Sequence, residues 1–325
     1  MSTPHQKFIK AAERIDGLNL DANETLTLAR QLEFIQAGAY EVKRAPLKGL
    51  SFVPVDSSLP SGAETFTYRQ YELLGFAKLI SDYAKDFPTS NAIAREFTSK
   101  IKGLGSSYEY SIQELRGAQM AGVPLDATKA RAARVAIEQL HDSLIQSGDS
   151  ANGLLGFLNQ ANTTAFSVPN GAAGTATWTT KTPDEILADM HDLVNGICTA
   201  NRGRDDMSPD MLLLPLAQYA LVASRRLGDG SDTTILQHFL TSSPFFSNGR
   251  GAVDSWHVLA GAGAGPTDRM VAYRRDPEAL KYIAPIVFEQ FAPQPVGMVL
   301  KTLCHARSGG VVVNLPTTIS YGDGI

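Results

Sequence analysis

A chain of 325 residues with 43% hydrophobic and 19% charged side chains can bury a substantial core, which excludes a mainly disordered or fibrous protein. A net charge of −4 supplies no overall basic footprint, so strong nucleic-acid binding driven by bulk charge is excluded as well. No stretch approaches the ~18 uninterrupted apolar residues of a membrane span, and the length allows two compact regions.

Between Asp21 and Ala37, Leu28, Leu32 and Ile35 recur at helical spacing, with Asp21 and Glu24 placed for a capping box. Arg44-Ala-Pro46, Pro54, Pro60 and Gly62 then predict an extended arm. From Glu64 to Arg69 the residues alternate, Phe66 and Tyr68 on one side and Thr65, Thr67 and Arg69 on the other, as in a strand with one packed face. Tyr71 and Leu73 resume the alternation one residue out of phase, which predicts a bulge or bend before Gly75. The polar stretch from Ser81 to Asn91 and a second alternating run ending at Leu104 complete a long hairpin, with Tyr83 and Phe87 near its tip. Isolated hairpins are marginal in water, so this one is expected to lie on something else, such as a neighbouring subunit.

A short helix is predicted from Ser111 to Gly122, closed by Gly122 and Pro124, after which Asp126 is placed to cap a longer one. Ala130, Ala133, Ile137, Leu140 and Leu144 draw one apolar stripe along it until Gly148, while Lys129, Arg131, Arg134, Glu138 and Asp142 occupy other faces. Small and polar residues from Asn159 to Thr180 then mark a boundary. Thr182 to Thr199 reads as a helix with Ile186, Met190, Leu193 and Ile197 inward, and Met211 to Leu214 as a buried strand. With further helices at Leu216 to Arg226 and Thr233 to Thr241, the middle of the chain is expected to be a mixed α/β region. Near the end Val296, Met298, Leu300, Thr302 and Cys304 point one way, and Ser308-Gly309-Gly310 turns the chain into Val311 to Val313 as a closing hairpin.

Signals for chemistry are sparse. The Gly261-Ala-Gly263-Ala-Gly265-Pro266 run lacks the third glycine of a dinucleotide fingerprint and ends in proline instead of opening a helix. No phosphate-binding loop with its lysine and no Gly-x-Ser-x-Gly nucleophile turn occurs. The histidines, His5, His141, His191, His238, His257 and His305, show no ligand spacing, and Cys198 with Cys304 reads as two buried apolar side chains in a reducing compartment. Asp205 with Asp206, Asp254 with His257, and Cys304 with His305 are neighbours in sequence, a placement that seldom yields catalytic geometry. No catalytic residue, cofactor or metal is therefore expected.

Several stretches together resemble the major capsid family of tailed bacteriophages, the Hong Kong 97-type fold shared with bacterial encapsulin shells. Gly62-Ala-Glu-Thr-Phe-Thr-Tyr-Arg69 and Asp82-Tyr-Ala-Lys-Asp-Phe-Pro88 are similar to that family's extended loop, and Tyr108 to Arg116 to its entry into the peripheral domain. Leu125 to Arg134 resembles the start of the spine helix, and Gly148-Asp149 with Gly153 to Asn159 the segment after it. Tyr273 to Glu278 and the turn Arg307 to Val311 fit the same pattern. The resemblance implies an α+β fold of four parts: an N-terminal arm (1–60), an extended loop (61–105), a peripheral domain (106–155 and 284–307) with spine helix 126–147, and an axial domain (156–283 and 308–325).

It also implies a structural, non-enzymatic role: self-assembly, as hexamers and pentamers, into an icosahedral head that encloses DNA without sequence-specific contacts. The protein would reside in the virion after synthesis in the cytoplasm of a host bacterium. Scaffold, portal and decoration proteins are admitted as further partners, and only a short arm is expected ahead of the loop. Candidate inter-subunit contacts are Phe66, Tyr68, Tyr71, Tyr83 and Phe87 of the loop and Arg131, Arg134 and Glu138 of the spine helix. Lys78 and Lys85 read as solubilising, not cross-linking. The alternatives are an encapsulin-like compartment or an α/β enzyme using Asp205, Asp254 or His257.

Overall fold

In the computed structural model the described residues are 45–79, 87–122, 125–161, 163–228, 230 and 232–325. The helix expected from Asp21 to Ala37 and the loop residue Tyr83 lie outside them. A helical turn α1 (Gly49–Phe52) leads into strand β1 (Val55–Asp56). Strands β2 (Thr65–Leu74) and β3 (Asn91–Lys100) then pair antiparallel in unbroken register, from Thr65 opposite Lys100 to Leu74 opposite Asn91.

The long hairpin is thus present, but the bulge expected before Gly75 is absent from it. The change of phase lies in the side chains: Phe66 and Tyr68 occupy one face, and Tyr71 and Leu73 the other. The second run stops at Lys100 instead of reaching Leu104. Ile101 turns into the core, and β4 (Lys102–Ser111) belongs to a different sheet.

Ser111 accepts a hydrogen bond from the Glu114 amide while the Glu114 carboxylate accepts from the Ser111 amide, a reciprocal cap that starts α2 (Ile112–Ala121). Gly122, in the left-handed region at φ 68°, ends it. The long helix α3 (Leu125–Gln146) begins one residue before Asp126, which therefore stands in the first turn and does not cap. Ala133, Ile137 and Leu144 are buried as expected, but Leu140 is 41% exposed, and His141 and Ile145 are buried in its place. At about 100° per residue, Leu140 falls at the margin of the buried arc and His141 inside it.

His141 ties this helix to the sheets behind it. Its Nε2 donates to the Val287 carbonyl at 3.0 Å, which leaves Nδ1 to accept from the Tyr282 hydroxyl at 2.7 Å. Burial holds the imidazole below its ordinary range. Because the unfolded chain protonates first, near pH ~6.5, stability supplied by neutral His141 is complete above that pH and is lost as pH falls. We expect urea unfolding at pH 7 and pH 5 to show a larger acid loss in the native chain than in His141→Gln; equal losses would contradict this.

Past α3 come the paired strands β5 (Gly148–Asp149) and β6 (Leu154–Leu155), then β7 (Thr164–Ser167), α4 (Pro183–Ala200), β8 (Met211–Leu214) and α5 (Leu216–Ser224). They are followed by α6 (Ile235–Ser242), β9 (Ala252–Ser255), β10 (Arg269–Tyr273), β11 (Leu280–Ile283) and β12 (Ile286–Gln290). The chain closes with β13 (Gln294–Val296), β14 (Val299–Ser308), β15 (Gly310–Val313) and β16 (Ile319–Asp323).

A five-stranded sheet runs in the order β7-β16-β10-β8-β9, with Ile186, Met190, Leu193 and Ile197 of α4 fully buried in the cluster that also holds Leu212 and Leu214. Beneath α4, Lys181 Nζ lies 2.6 Å from Asp189 Oδ2, and the Trp178 indole donates to the same oxygen at 2.9 Å. A second sheet has the order β12-β14-β13, with β4 pairing β14 over its whole length, Lys102 opposite Ser308 to Ser111 opposite Val299. Its one face packs on α3 through Tyr108, Tyr110, Cys304 and Ala306.

The closing hairpin expected at Ser308-Gly309-Gly310 does not form. The chain changes sheets there: β14 pairs with β4, whereas β15 pairs with β11 in the order β1-β11-β15. Thr302 and Cys304 are buried in the predicted row, but Val296 and Met298 flank the turn at Gly297 and are exposed.

Candidate assembly interface

The β2–β3 hairpin has an anchored base and a free tip. At the base, Phe66 stacks on Tyr68 (centroids 6.0 Å apart) and Tyr68 on Phe97 (5.2 Å). Phe66 and Tyr68 rest on the cluster of Ile101, Ile283 and Val312. The Tyr68 hydroxyl donates to the Val313 carbonyl at 3.2 Å, and the Ser99 hydroxyl to the Gly309 carbonyl at 2.9 Å. Burial raises the Tyr68 hydroxyl above its usual range.

Lys281 Nζ lies 5.0 Å from the centroid of the Phe66 ring and 2.7 Å from Asp56 Oδ2. The Lys281 hydrogen bond, with one from Ser58, lowers the Asp56 carboxyl to about 2, so the Asp56 carboxylate is ionised at every physiological pH. Phe66 and Tyr68 therefore spend their apolar surface mainly within their own chain.

Beyond the base the balance reverses. Tyr71 is 62% exposed, Leu73 82%, Phe76 73% and Phe87 61%. Leu74 and Leu79 are exposed too, and residues 73–77 with 90–92 line an open depression of about 620 Å³. Such a patch is costly in water unless something covers it. Leu73, Leu74, Phe76 and Leu79 were not among the contacts expected from sequence. The signal was the apolar density of Leu73-Leu74-Gly75-Phe76-Ala77 directly before a polar stretch.

On α3, Arg131 is exposed at the surface. Arg134 bonds Glu138 at 2.9 Å and lies 5.7 Å from the centroid of the Phe288 ring, so both side chains are engaged within the chain. Among the described residues, the contacts of Arg134 and Glu138 are with each other and with Phe288, not with the hairpin.

Of the groups considered for catalysis, Asp254 and Asp206 hold other partners. Asp254 pairs with Lys48 at 3.0 Å, and Asp206 with Arg204 at 2.7 Å. Asp205 and His257 sit in separate 3₁₀ turns, and adjacent Cys304 and His305 belong to one strand, Cys304 buried and His305 near Glu289 at 3.9 Å. Around the glycine run, the Gly261 amide donates to Asp268 at 2.9 Å and the Ala264 amide to Asp323 at 3.1 Å. Arg269 holds Asp323 through two hydrogen bonds. Amides that a phosphate would need already bind carboxylates. Among the described residues there is no cluster of metal-ligating side chains, and no helix is long and apolar enough to cross a membrane.

Residues 75–325 match the family model described as major capsid protein. The chain is similar to a solved capsid protein of Myoviridae phage XM1, at 18% identity and a TM-score of 0.77, covering 91% of this chain and 98% of that one. It is similar to the capsid protein of a native GTA particle at 12% identity and a TM-score of 0.64, over 94% and 99% of the two chains. A virus-like particle from Pyrococcus furiosus gives 14% identity and a TM-score of 0.51, over 84% and 90%. A comparison with curated proteins finds no match.

Proposed function

The chain belongs to the major capsid protein family, and from that premise we propose that it closes, from copies of itself, the head shell around the genome of a tailed bacteriophage. It is a structural shell protein with a Hong Kong 97-like fold. The observation that carries the mechanism is the hairpin: its base is clamped to its own subunit while its outer half holds exposed apolar side chains. A contact of this kind, repeated by symmetry, closes a container that one contact could not hold.

In this reading residues 61–105 are the extended loop, 106–155 with 284–307 the peripheral domain, and 156–283 with 308–325 the axial domain. Tyr71 and Phe87 are its inter-subunit contacts. Hexamers and pentamers make up the shell, and scaffold, portal or decoration proteins join it in a host bacterium's cytoplasm. The net charge of −4 suits a wall that contains DNA without gluing it down. The family match favours a viral shell over a cargo compartment or an enzyme.

Negative-stain microscopy and sedimentation of the purified protein test the reading. Closed particles are the expected result, and particles isolated from an infected host are expected to hold DNA. A small discrete oligomer under all conditions, or particles filled with a cargo enzyme, would overturn it.

A further inference from the structure

Where the chain enters β8 and β9 and leaves β10, the five-stranded sheet ends in an open depression of about 370 Å³. β9 runs parallel to β8 and β10 antiparallel to it, which brings Asp210 with Met211, Gly251 with Ala252, and Arg275 to one rim. Gly249 and Arg250, at the end of a 3₁₀ turn, complete the lining. The backbone of this rim is fixed. The Ala252 amide donates to the Asp210 carbonyl at 2.9 Å, and the Asp210 amide to the Tyr273 carbonyl at 3.1 Å. Gly251 lies so close to the Phe246 ring that a Cβ there would meet it at 2.6 Å. The Arg275 amide donates to Asp210 Oδ1 at 2.6 Å, and Arg274 stands 3.9 Å from Asp210 Oδ2. The carboxylate that lines the depression is thereby held by the subunit itself.

The two guanidiniums at the rim are free. Arg250 and Arg275 are exposed, and among the described residues neither side chain has a hydrogen-bond or ion-pair partner. An arginine whose backbone is anchored while its planar fork of donors stays open is set for an oxyanion with several acceptor oxygens. Gly249, Gly251 and Ala252 add no side chain larger than a methyl, which leaves the depression open. We propose that it binds a phosphate group, gripped by Arg250 and Arg275. Two forks share the oxygens of a tetrahedral phosphate, whereas one fork already satisfies a planar carboxylate. The site is independent of the hairpin and of the shell reading. It also agrees with the charge of the chain: two arginines against a net −4 make a local, weak site and not the broad basic surface that strong nucleic-acid binding needs. The phosphate comes from solution or from a nucleic-acid backbone, since both present the same oxygens.

The test measures, by phosphorus NMR, the broadening of the inorganic phosphate line by the purified full chain, native and as Arg250→Gln with Arg275→Gln. Millimolar binding is expected for the native chain, and a loss of roughly tenfold or more in the variant. Both side chains are exposed, so the melting temperature should not move. Lys100→Gln with Lys102→Gln removes the same charge from two exposed lysines outside the lining and is expected to keep native binding. A second arm titrates a labelled DNA duplex. A duplex that outbinds inorganic phosphate, and loses that advantage with the two arginines, makes the polynucleotide backbone the source; a duplex that does not outbind it makes free phosphate the source. No broadening by the native chain, undiminished binding by the arginine variant, or an equal loss in the lysine variant would overturn the site.

Discussion

Replacing Gly75–Ser90 with the dipeptide Asn-Gly is expected to leave a folded subunit that forms no shells. Leu74 and Asn91 face each other in the ladder, so the two strands are already in register for a two-residue turn, which Asn-Gly favours. The excision removes Phe76, Leu79 and Phe87 from the exposed patch and leaves every buried cluster intact. At ~25 cal/mol per Å², the lost apolar contact is worth on the order of 10 kcal/mol gross per interface, before ordering costs are subtracted. Sedimentation should therefore show subunits in place of particles, with circular dichroism and melting temperature near those of the native chain. Particles in normal yield would mean that the hairpin tip takes no part in assembly.

Lys181→Met should cost the subunit about 3–5 kcal/mol, measured by urea unfolding in the non-assembling background of the shortened hairpin. Lys181 and Asp189 keep only 1% and 3% of their side-chain surface exposed. Burial pushes the Asp189 carboxyl up, against the pull of Lys181 and the Trp178 indole. Removing the ammonium strands a buried carboxylate beside the Trp178 indole. The double change Lys181→Met with Asp189→Leu removes both charges and is expected to recover much of the loss, since a buried pair gains little over apolar groups of similar size. A single variant as stable as the native protein would show that Asp189 is not desolvated as the packing requires.

The elements that could be read from sequence are those whose cause is local. Ser111 with Glu114 and Thr182 with Glu185 form the reciprocal caps of two helices, and each pair is visible within four residues. The buried face of α4 follows from the spacing of Ile186, Met190, Leu193 and Ile197. The misreadings have other causes. The apolar phase change at Tyr71 was taken for a bulge, because alternation reports which side chains are apolar and not whether the backbone or the covering surface has changed. Leu140 and His141 exchanged places because the helix presents a curved arc to its neighbours, and a polar side chain can enter it when Tyr282 and the Val287 carbonyl satisfy its nitrogens. Asp126 was expected as a cap, but the helix begins one residue earlier. The run from Ser308 to Val313 has every local mark of a hairpin.

Most of the candidate interface was half legible for the same reason. The aromatic residues of the hairpin stand out in sequence, yet nothing local distinguishes Tyr68, spent on its own subunit, from Tyr71, left open. Periodicity, caps and turn residues by themselves determined the helices α2 to α6 and the strands β2 and β8, because these depend on contacts a few residues apart. The tertiary structure alone decided that β14 joins Lys102–Ser111 while β15 joins Leu280–Ile283, that Lys281 clamps Phe66, and that the hairpin base lies on its own subunit while Tyr71 and Leu73 stay exposed. Those choices are made between segments up to some two hundred residues apart, where burial is shared among many side chains and no short stretch carries the balance.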